Sequence, residues 1–493
     1  MKKNKYIFLL ILSGFLIGSC HKNELYPVPQ TAVSNATAFS TPGRIQSQVL
    51  SLYGALKNGN FYGGRYQIAQ EVKAENFIDE LSNLITDYDV WLENPTNSAT
   101  GVVGLWQYAY LTINNCNLFI DGMNETGTKV AGSTLGANYI GEAKLVRALS
   151  YYSLLQFYAL PYANGSGSNL GVPLRLTGIE NAGSSNLARS PVDSVYAQII
   201  SDLNGAEASL PSSYSTAYNN TTRAHVNTAI ALKTRVYLAM GDYADVITEA
   251  NKIVSATAPF TSASGVIFSL QSDITKVFAS PYTTSENIFS LPMTVTSGDN
   301  PGTQNQLGYY FSPSKGSYTT GTGNGEFSLN ANGVIADPLW LPSDRRWFFV
   351  VASTSGPAKK WLNKYPAPSP YTDYPPVIRY SEVLLNLAEA RARSTSSIDP
   401  QAVALLNAVR NRSDPNTTYT VASFSTYTDL INAILEERNI EFLGEGLRNS
   451  DLMRLQLTVP AKGSAPSKGP TDQGYIWPIS ATELSLNTLC VDN

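Results

Sequence analysis

The stretch AHVNTAIALKTRVYLAMGDYADVITEANKIV, residues 224–254, decides the fold class of this chain. Apolar side chains recur at three- and four-residue intervals on both sides of its centre, which is the spacing of one face of a helix. Gly241 and Asp242 interrupt this period, and a glycine at such a point is typical of a helix end. The stretch therefore predicts two helices joined by a tight turn.

The helical period recurs on both sides of this pair. In residues 141–160, GEAKLVRALSYYSLLQFYAL, one face carries Ala148, Tyr151, Tyr152, Leu155 and Ala159. Residues 375–393 and 400–412 predict a second pair, with Pro375, Pro376 and Pro400 where helices begin. A pair of this length with a central turn resembles a tetratricopeptide repeat. The predicted fold is mainly α: a scaffold of tetratricopeptide-like helix pairs with long irregular loops and a few short strands.

The middle of the chain, residues 255–374, has a different composition. Gly, Ser, Thr, Asn, Pro and Tyr cluster there, and no helical period is sustained. Residues 286–295 (ENIFSLPMTV) and 345–353 (RRWFFVVAS) predict short strands, whereas 320–333 (TGTGNGEFSLNANG) predicts only loop. Irregular segments of this length in a compact protein are usually functional or disordered.

The overall composition limits the function. The chain has 493 residues, 43% of them hydrophobic and 15% charged, which describes a globular protein with a large core. Its formal net charge of −4 offers no basic field for phosphates, so we expect no nucleic-acid partner.

The N-terminus predicts export and a lipid anchor. Lys2, Lys3 and Lys5 precede the apolar run Tyr6–Ile17, which is too short to span a membrane comfortably. The following IGSC resembles a bacterial lipobox, so we predict a lipoprotein signal peptide at residues 1–19, a lipid on Cys20, and an extended tether at 20–35. A plain signal peptide with an incidental cysteine is the alternative.

The charged stretch EERNIEFLGEGLRNSDLMRL, residues 436–455, could be a catalytic centre or a structural lock. Glu437 and Glu441 are four residues apart, so they lie on one helix face, with Arg438 beside them. A glycosidase needs two carboxylates that face each other across a cleft, about 5 to about 10 Å apart. We therefore predict ion pairs that lock helices together, followed by a helix end at Gly444 and Gly446 and further charges at Arg448, Asp451 and Arg454.

The sequence does not contain the residues that other common catalytic sites require. The two histidines, His21 in the tether and His225 at a helix start, supply neither a metal cluster nor a Ser-His-Asp relay. No phosphate-binding loop is present. We expect no enzyme activity, no metal and no cofactor apart from the lipid. Cys116 and Cys490 could pair, although two reduced, half-buried cysteines are favoured.

Several motifs occur together in the order known from one family. The lipobox, YIGEAKLVRALSYYSLL, PPVIRYSEVLLNLAEARAR with ALLNAVRNR, EERNIEFLGEGLRNSDLMRL and GYIWPISATELSLN together resemble the SusD/RagB family. The resemblance implies an α-α superhelix in a single domain, 36–493, with parts 36–254, 255–374 and 375–493. It also implies a surface lipoprotein of the outer membrane that captures oligosaccharide for a SusC-like TonB-dependent transporter. A repeat-based protein scaffold, or a peptide-binding lid of the same transporter class, is the alternative; a lipid-anchored hydrolase is disfavoured.

The resemblance also locates a binding surface. In the family, a loop after the first helices and loops of the middle region carry the ligand, and aromatic faces and neutral polar groups suit sugars. By position, the candidates are Arg65, Tyr66, Asp79, Asp87, Tyr88, Asp89, Trp91 and Asn94 in or before residues 76–97, and Tyr309, Tyr310, Phe311, Tyr318 and Asn324 in the middle. Core positions are the alternative for Trp91 and for Tyr309–Phe311. Core positions are predicted for Trp106, Trp347, Trp361 and Trp477.

Overall fold

Helices form most of the regular structure. A computed structural model describes residues 35–181, 183, 185–296 and 298–493. The helices are α1 (Asn35–Ala38), α2 (Pro42–Leu56), α3 (Arg65–Val72), α4 (Tyr88–Trp91), α5 (Thr100–Gly122), α6 (Thr128–Ala131), α7 (Ser133–Tyr158), α8 (Val192–Ser209), α9 (Ala217–Thr222), α10 (Val226–Met240), α11 (Tyr243–Ala250), α12 (Leu307–Phe311), α13 (Tyr380–Thr395), α14 (Pro400–Ser413), α15 (Tyr427–Glu441), α16 (Arg448–Arg454) and α17 (Ala481–Leu486). The strands are β1 (Phe77–Asp79), β2 (Asn287–Ser290), β3 (Phe327–Leu329), β4 (Val350–Ala352), β5 (Lys360–Leu362) and β6 (Pro376–Arg379). The predicted fold class, mainly α with a few short strands, is confirmed.

The predicted turn at Gly241 joins α10 to α11. Gly241 has a φ of +76°, which a residue without a Cβ adopts at little cost. Its N–H donates to Leu238 O (3.1 Å), and the N–H of Asp242 donates to Tyr237 O (2.9 Å), so the last carbonyls of α10 are satisfied. The Asp242 side chain then accepts from the N–H of Asp245 (3.2 Å) and caps α11.

The long helices stack largely in chain order. Helices α5 and α8 pack against α7, α10 against α8, α11 against α10, and α13 against α11, while α14 and α15 pack against α13. The sequence predicts one apolar face along α7 and the residue that follows it. All five residues of this face are buried: Ala148, Tyr151, Tyr152, Leu155 and Ala159. The predicted scaffold of packed helix pairs is therefore confirmed.

The predicted start of the helix at Pro375 and Pro376 is wrong. Residues Pro376–Arg379 form β6, which pairs antiparallel with β2, and α13 begins only at Tyr380. Proline has no N–H to donate, and the buried Val377 and Ile378 suit a strand. Pro400 does start α14, with the Asp399 side chain accepting from the N–H of Ala402 (2.8 Å).

Two predictions for the middle region need correction. Residues 320–333 are not all loop, because Phe327–Leu329 forms β3 and pairs with β1, far away in sequence. In residues 345–353 only Val350–Ala352 is a strand, and a 3₁₀ turn, Arg345–Phe349, precedes it. The strand predicted in residues 286–295 is confirmed as β2.

The charged stretch 436–455 locks helices together, as predicted. Glu437 and Glu441 belong to a continuous ion-pair network of ten side chains, each at most 5% exposed. Five are cations and five are carboxylates, so the buried charges balance: Arg346, Lys364, Arg379, Arg410 and Arg412 with Glu286, Asp344, Glu437, Glu441 and Glu445.

A smaller cluster lies beside this network. Arg438 and Arg454 both contact Asp451 (2.9 Å each), and Arg454 also contacts Glu389 (2.7 Å). Gly444 and Gly446 follow the end of α15 with φ of +80° and +82°, as the predicted helix end requires.

The predicted structural histidine, tryptophans and cysteines are buried or half-buried. His225 precedes α10, and burial lowers its pKa to about 4. Trp106, Trp361 and Trp477 are buried, and the half-buried Trp347 stacks on Trp340 with ring centroids 4.5 Å apart. Cys116 and Cys490 are both free and buried, in agreement with the favoured alternative.

The predicted N-terminal features lie outside the described residues. This applies to the signal peptide at 1–19, to Cys20 and to all of the tether except Asn35. Within the residues from 35 onwards that the structure describes, no helix combines the length and the apolar character needed to cross a membrane.

Candidate functional site

The two segments predicted to carry ligand meet through a short antiparallel sheet. Strand β1 lies at the start of the first segment and β3 in the middle region, with Phe77 opposite Leu329 and Asp79 opposite Phe327. The N–H of Glu80 extends the ladder by donating to Glu326 O (2.9 Å). The segment 76–97 is therefore not one loop, since it contains β1, a 3₁₀ turn (Leu84–Thr86) and α4.

The side chain of Glu326 connects the two segments. One carboxylate oxygen accepts from Thr86 Oγ1 (2.5 Å) and the other from Asn324 Nδ2 (2.8 Å). Asn324 in turn donates its backbone N–H to Tyr309 O (2.8 Å). This chain of bonds fixes the 3₁₀ turn of the first segment against α12 of the middle region.

The side chain of Arg65 also forms hydrogen bonds with both segments. Its Nε donates to Asn305 Oδ1 (2.9 Å), one Nη to Ile85 O (2.9 Å) and the other Nη to Gln304 O (3.4 Å). The side chain is buried at the start of α3. Arg65 therefore positions both segments, and its burial keeps the guanidinium away from a ligand on the surface.

These contacts bring exposed and half-buried side chains of the two segments near one another. We call this set of side chains the loop surface and define it by Leu84, Ile85, Gln304, Tyr309 and Asn324. Leu84 and Ile85 are 62% and 59% exposed, and Tyr309 and Asn324 are half-buried. The Tyr309 hydroxyl lies 3.5 Å from Gln304 Nε2, and the backbone of Asn324 bonds to that of Tyr309, so an aromatic ring and two amide-bearing residues lie close together.

Six of the thirteen predicted ligand contacts are buried, so their side chains are not accessible to a ligand in this structure. They are Arg65, Tyr66, Asp87, Trp91, Tyr310 and Phe311. Trp91 donates its indole N–H to Phe77 O (2.8 Å) and stacks on Tyr88. Phe311 stacks on Phe77 with centroids 4.7 Å apart, and Tyr310 stacks on Phe327. These rings already contact protein, so the core alternative is the correct one for Trp91, Tyr310 and Phe311.

The other predicted contacts remain accessible in different degrees. Asn94 is exposed, whereas Asp79, Tyr88, Asp89, Tyr309, Tyr318 and Asn324 are half-buried. Asp79 Oδ1 accepts from the N–H groups of Leu81 (2.9 Å) and Ser82 (2.6 Å), and burial raises its pKa to about 6. No local sequence pattern points to Leu84, Ile85, Thr86, Gln304 or Glu326, because their proximity depends on the pairing of β1 with β3.

Asp87 is an unusual buried carboxylate beneath this surface. Neither of its oxygens has a hydrogen-bond partner, and its φ of +70° is left-handed. Burial raises the pKa of Asp87 to about 6, although Arg65 opposes the shift. Since the pKa in the folded state exceeds that of the unfolded chain, stability is lost as the pH rises from about 4 through about 6.

Replacing Asp87 by Asn is therefore expected to stabilise the protein at pH 8 by about 1 to about 2 kcal/mol. Asn keeps the shape and tolerates a left-handed backbone, but it carries no buried charge. Urea unfolding at pH 8 and at pH 4.5 measures the gain, which should shrink strongly at the lower pH. A variant that is less stable than the parent at pH 8 would contradict this account.

No metal centre is evident among the residues that the structure describes. In these parts of the chain no group of three or more His, Cys, Asp or Glu side chains is arranged to hold a metal ion. The acidic side chains of the ion-pair network are buried and paired with cations. The accessible chemistry of the loop surface is therefore hydrogen bonding and ring contact.

Comparison with known proteins places the chain in a family. A model of the SusD family matches residues 352–493, and a second model, described as starch-binding associating with outer membrane, matches residues 31–238. SusD-like protein P2 of Formosa agariphila is 23% identical over 547 residues, which cover 100% of this chain and 99% of that protein.

Solved structures agree with this placement. A SusD superfamily protein from Bacteroides fragilis is 31% identical, with a TM-score of 0.80 over 92% of this chain and 99% of that one. Surface glycan-binding protein A from Bacteroides thetaiotaomicron, solved in complex with laminarihexaose, shares the fold at 19% identity, with a TM-score of 0.72 over 92% and 99% of the two chains. The order of the motifs, the helix-pair scaffold and these similarities together establish that the chain belongs to the SusD family.

Proposed function

We propose that this chain captures oligosaccharides without cleaving them and delivers them to a SusC-like TonB-dependent transporter. The loop surface binds the sugar, and a lipid on Cys20 holds the protein on the outside of the outer membrane. The transporter partner and the anchor enter the proposal through the family resemblance and the N-terminal sequence. Support for a glycan as ligand comes from two relatives, one solved with laminarihexaose and one called a laminarin-binding SusD-like protein.

The observation that carries the proposal is the joining of two distant segments into one partly exposed surface. The β1–β3 pairing, Glu326 and Arg65 hold it rigid before any ligand arrives. A rigid surface loses less entropy on binding. The half-buried Tyr309 ring suits the apolar face of a pyranose, while the amides of Gln304 and Asn324 suit its hydroxyls.

Calorimetry tests the proposal with the full chain in a detergent that lacks a sugar headgroup. We expect laminarihexaose or another neutral hexasaccharide of a panel to bind with a Kd on the order of micromolar to millimolar, because the surface is open. No reducing ends should be released. If no glycan of the panel bound, or if any of them were hydrolysed, the proposal would be overturned.

Replacing Tyr309 by Ala should weaken that binding by about 3-fold to about 10-fold, which is the contribution of one stacked ring. Tyr427→Ala is the matched control, because Tyr427 is 40% exposed at the start of α15 and lies outside the loop surface. Equal affinities of the two variants would remove Tyr309 from the binding surface.

A further inference from the structure

A second groove, outside the loop surface, is lined by three tyrosines. Tyr218 lies on α9, Tyr282 precedes β2, and Tyr374 precedes β6. We call it the tyrosine groove; it has a volume of about 480 Å³, and Met293, Thr294 and Thr372 also line it. Tyr218 is 48% exposed, and the other two rings are half-buried.

The tyrosine groove is held in shape by its surroundings. The rings of Tyr282 and Tyr374 stack with centroids 4.6 Å apart and planes 21° apart. The Tyr282 hydroxyl donates to Asp373 Oδ1 (2.8 Å). Tyr282 also has a left-handed φ of +61°, and Asn287 Nδ2 donates to its carbonyl (2.6 Å). Strained residues that their neighbours hold in place are concentrated at functional sites.

The chemistry of the groove selects one class of ligand. None of the side chains that line it is charged, so a phosphate, an acidic sugar or a basic peptide would find no counter-ion within the groove itself. Aromatic rings pack against the apolar face of a pyranose, and tyrosine and threonine hydroxyls can both donate to and accept from sugar hydroxyls. Val295, 76% exposed at the same groove, adds a small apolar contact.

Two further clefts lie between the groove and the residues beneath the loop surface, and neighbouring clefts share lining residues. Tyr218 lines an adjoining cleft of about 180 Å³ together with Lys57 and Asp299. These two residues line the next cleft, of about 390 Å³, which ends at Asn305. Asn305 is the side chain that accepts from Arg65 beneath the loop surface.

We infer that the tyrosine groove is a second carbohydrate-binding site, which takes the pyranose rings of a neutral oligosaccharide by stacking on Tyr218 and Tyr374. The choice of ligand class rests on the proposed function, whereas the position of the site does not. A long glycan could contact both sites along the clefts that lie between them.

Calorimetry of Tyr218→Ala with the hexasaccharide that binds the parent tests this site. We expect binding weaker by about 3-fold to about 10-fold, while Tyr427→Ala leaves it unchanged. Tyr218→Trp should retain or strengthen binding, because indole offers a larger face, and a purely structural role for Tyr218 would not produce that rescue. The new tryptophan also reports directly, since its emission should change when the hexasaccharide is added.

The outcomes separate the two sites. If Tyr309→Ala weakens binding and Tyr218→Ala does not, the tyrosine groove is excluded and the proposed function stands. The converse result excludes the loop surface and keeps the groove. Binding of no glycan overturns both. If Tyr218→Ala fails to fold, Tyr218→Trp provides the test. An emission that does not change when glycan is added would overturn the proposal that the tyrosine groove binds carbohydrate.

Discussion

Replacing Glu441 by Gln is expected to lower the free energy of unfolding by about 3 to about 5 kcal/mol, because it breaks a buried ion-pair network on one side only. Glu441 accepts hydrogen bonds from Arg346 (3.0 Å), Arg379 (2.9 Å) and Arg412 (2.5 Å). The five cations and five carboxylates of the network balance in the parent. With Gln at position 441, one positive charge in excess stays buried, and the amide nitrogen faces the guanidinium groups.

The pH dependence of this loss follows from the pKa of Glu441. Burial alone would raise it, but Arg412, Arg379 and Arg346 hold it well below its usual range. Because the pKa in the folded state is depressed, the stabilisation is present above about pH 4.5 and is lost as the pH falls further. The difference between parent and Glu441→Gln should therefore be largest near neutral pH and should shrink below about pH 4.

Urea unfolding followed by circular dichroism measures both effects. Glu125→Gln is the control, since Glu125 is exposed and a surface substitution usually changes stability by no more than about 0.5 kcal/mol. If Glu441→Gln proved as stable as Glu125→Gln at pH 7, the network would not be what holds the C-terminal helices together.

Local patterns predicted the helices and the role of the charged stretch. The period in residues 224–254 depends only on neighbours along the chain, and so does the placement of Glu437 and Glu441 on one face of α15. Their partners could not be predicted. Arg346 and Arg379 lie 95 and 62 residues away from Glu441, and nothing local marks either arginine as buried.

The candidate site was less predictable, because it depends on long-range pairing. The resemblance pointed to two segments that do meet in the structure, but it did not distinguish accessible rings from buried ones. Tyr309 and Tyr310 are adjacent and chemically identical, yet one is half-buried and the other fully buried, since α12 turns only Tyr310 towards Phe327. Strand β3 has only three residues, which is too short for an alternating apolar and polar pattern to be recognised. The tyrosine groove was missed because its three rings come from separate segments.

Replacing Cys20 by Ala should move nearly all of the protein from the membrane fraction to the soluble fraction. The apolar run Tyr6–Ile17 is too short to span a bilayer, and no helix in the described part of the chain is suited to do so. Attachment would then depend on lipid at Cys20. A single acyl chain binds membranes only marginally and reversibly, whereas several chains on one cysteine anchor stably, so loss of the thiol removes the whole anchor. The domain from residue 36 onwards should keep its unfolding midpoint, because Cys20 lies before it.

Cys490→Ala is the matched control for this variant. Cys490 is a free, buried cysteine near the opposite end of the chain, so its removal should leave the protein in the membrane pellet. Mass spectrometry of the parent distinguishes the lipid anchor from a plain signal peptide, because a lipidated N-terminal peptide begins at Cys20 and carries the mass of its acyl chains. An unmodified Cys20, or a Cys20→Ala protein that is cleaved at the signal peptide and still sediments wholly with membranes, would contradict the lipoprotein interpretation. In the second case the folded domain itself would hold the protein at the membrane.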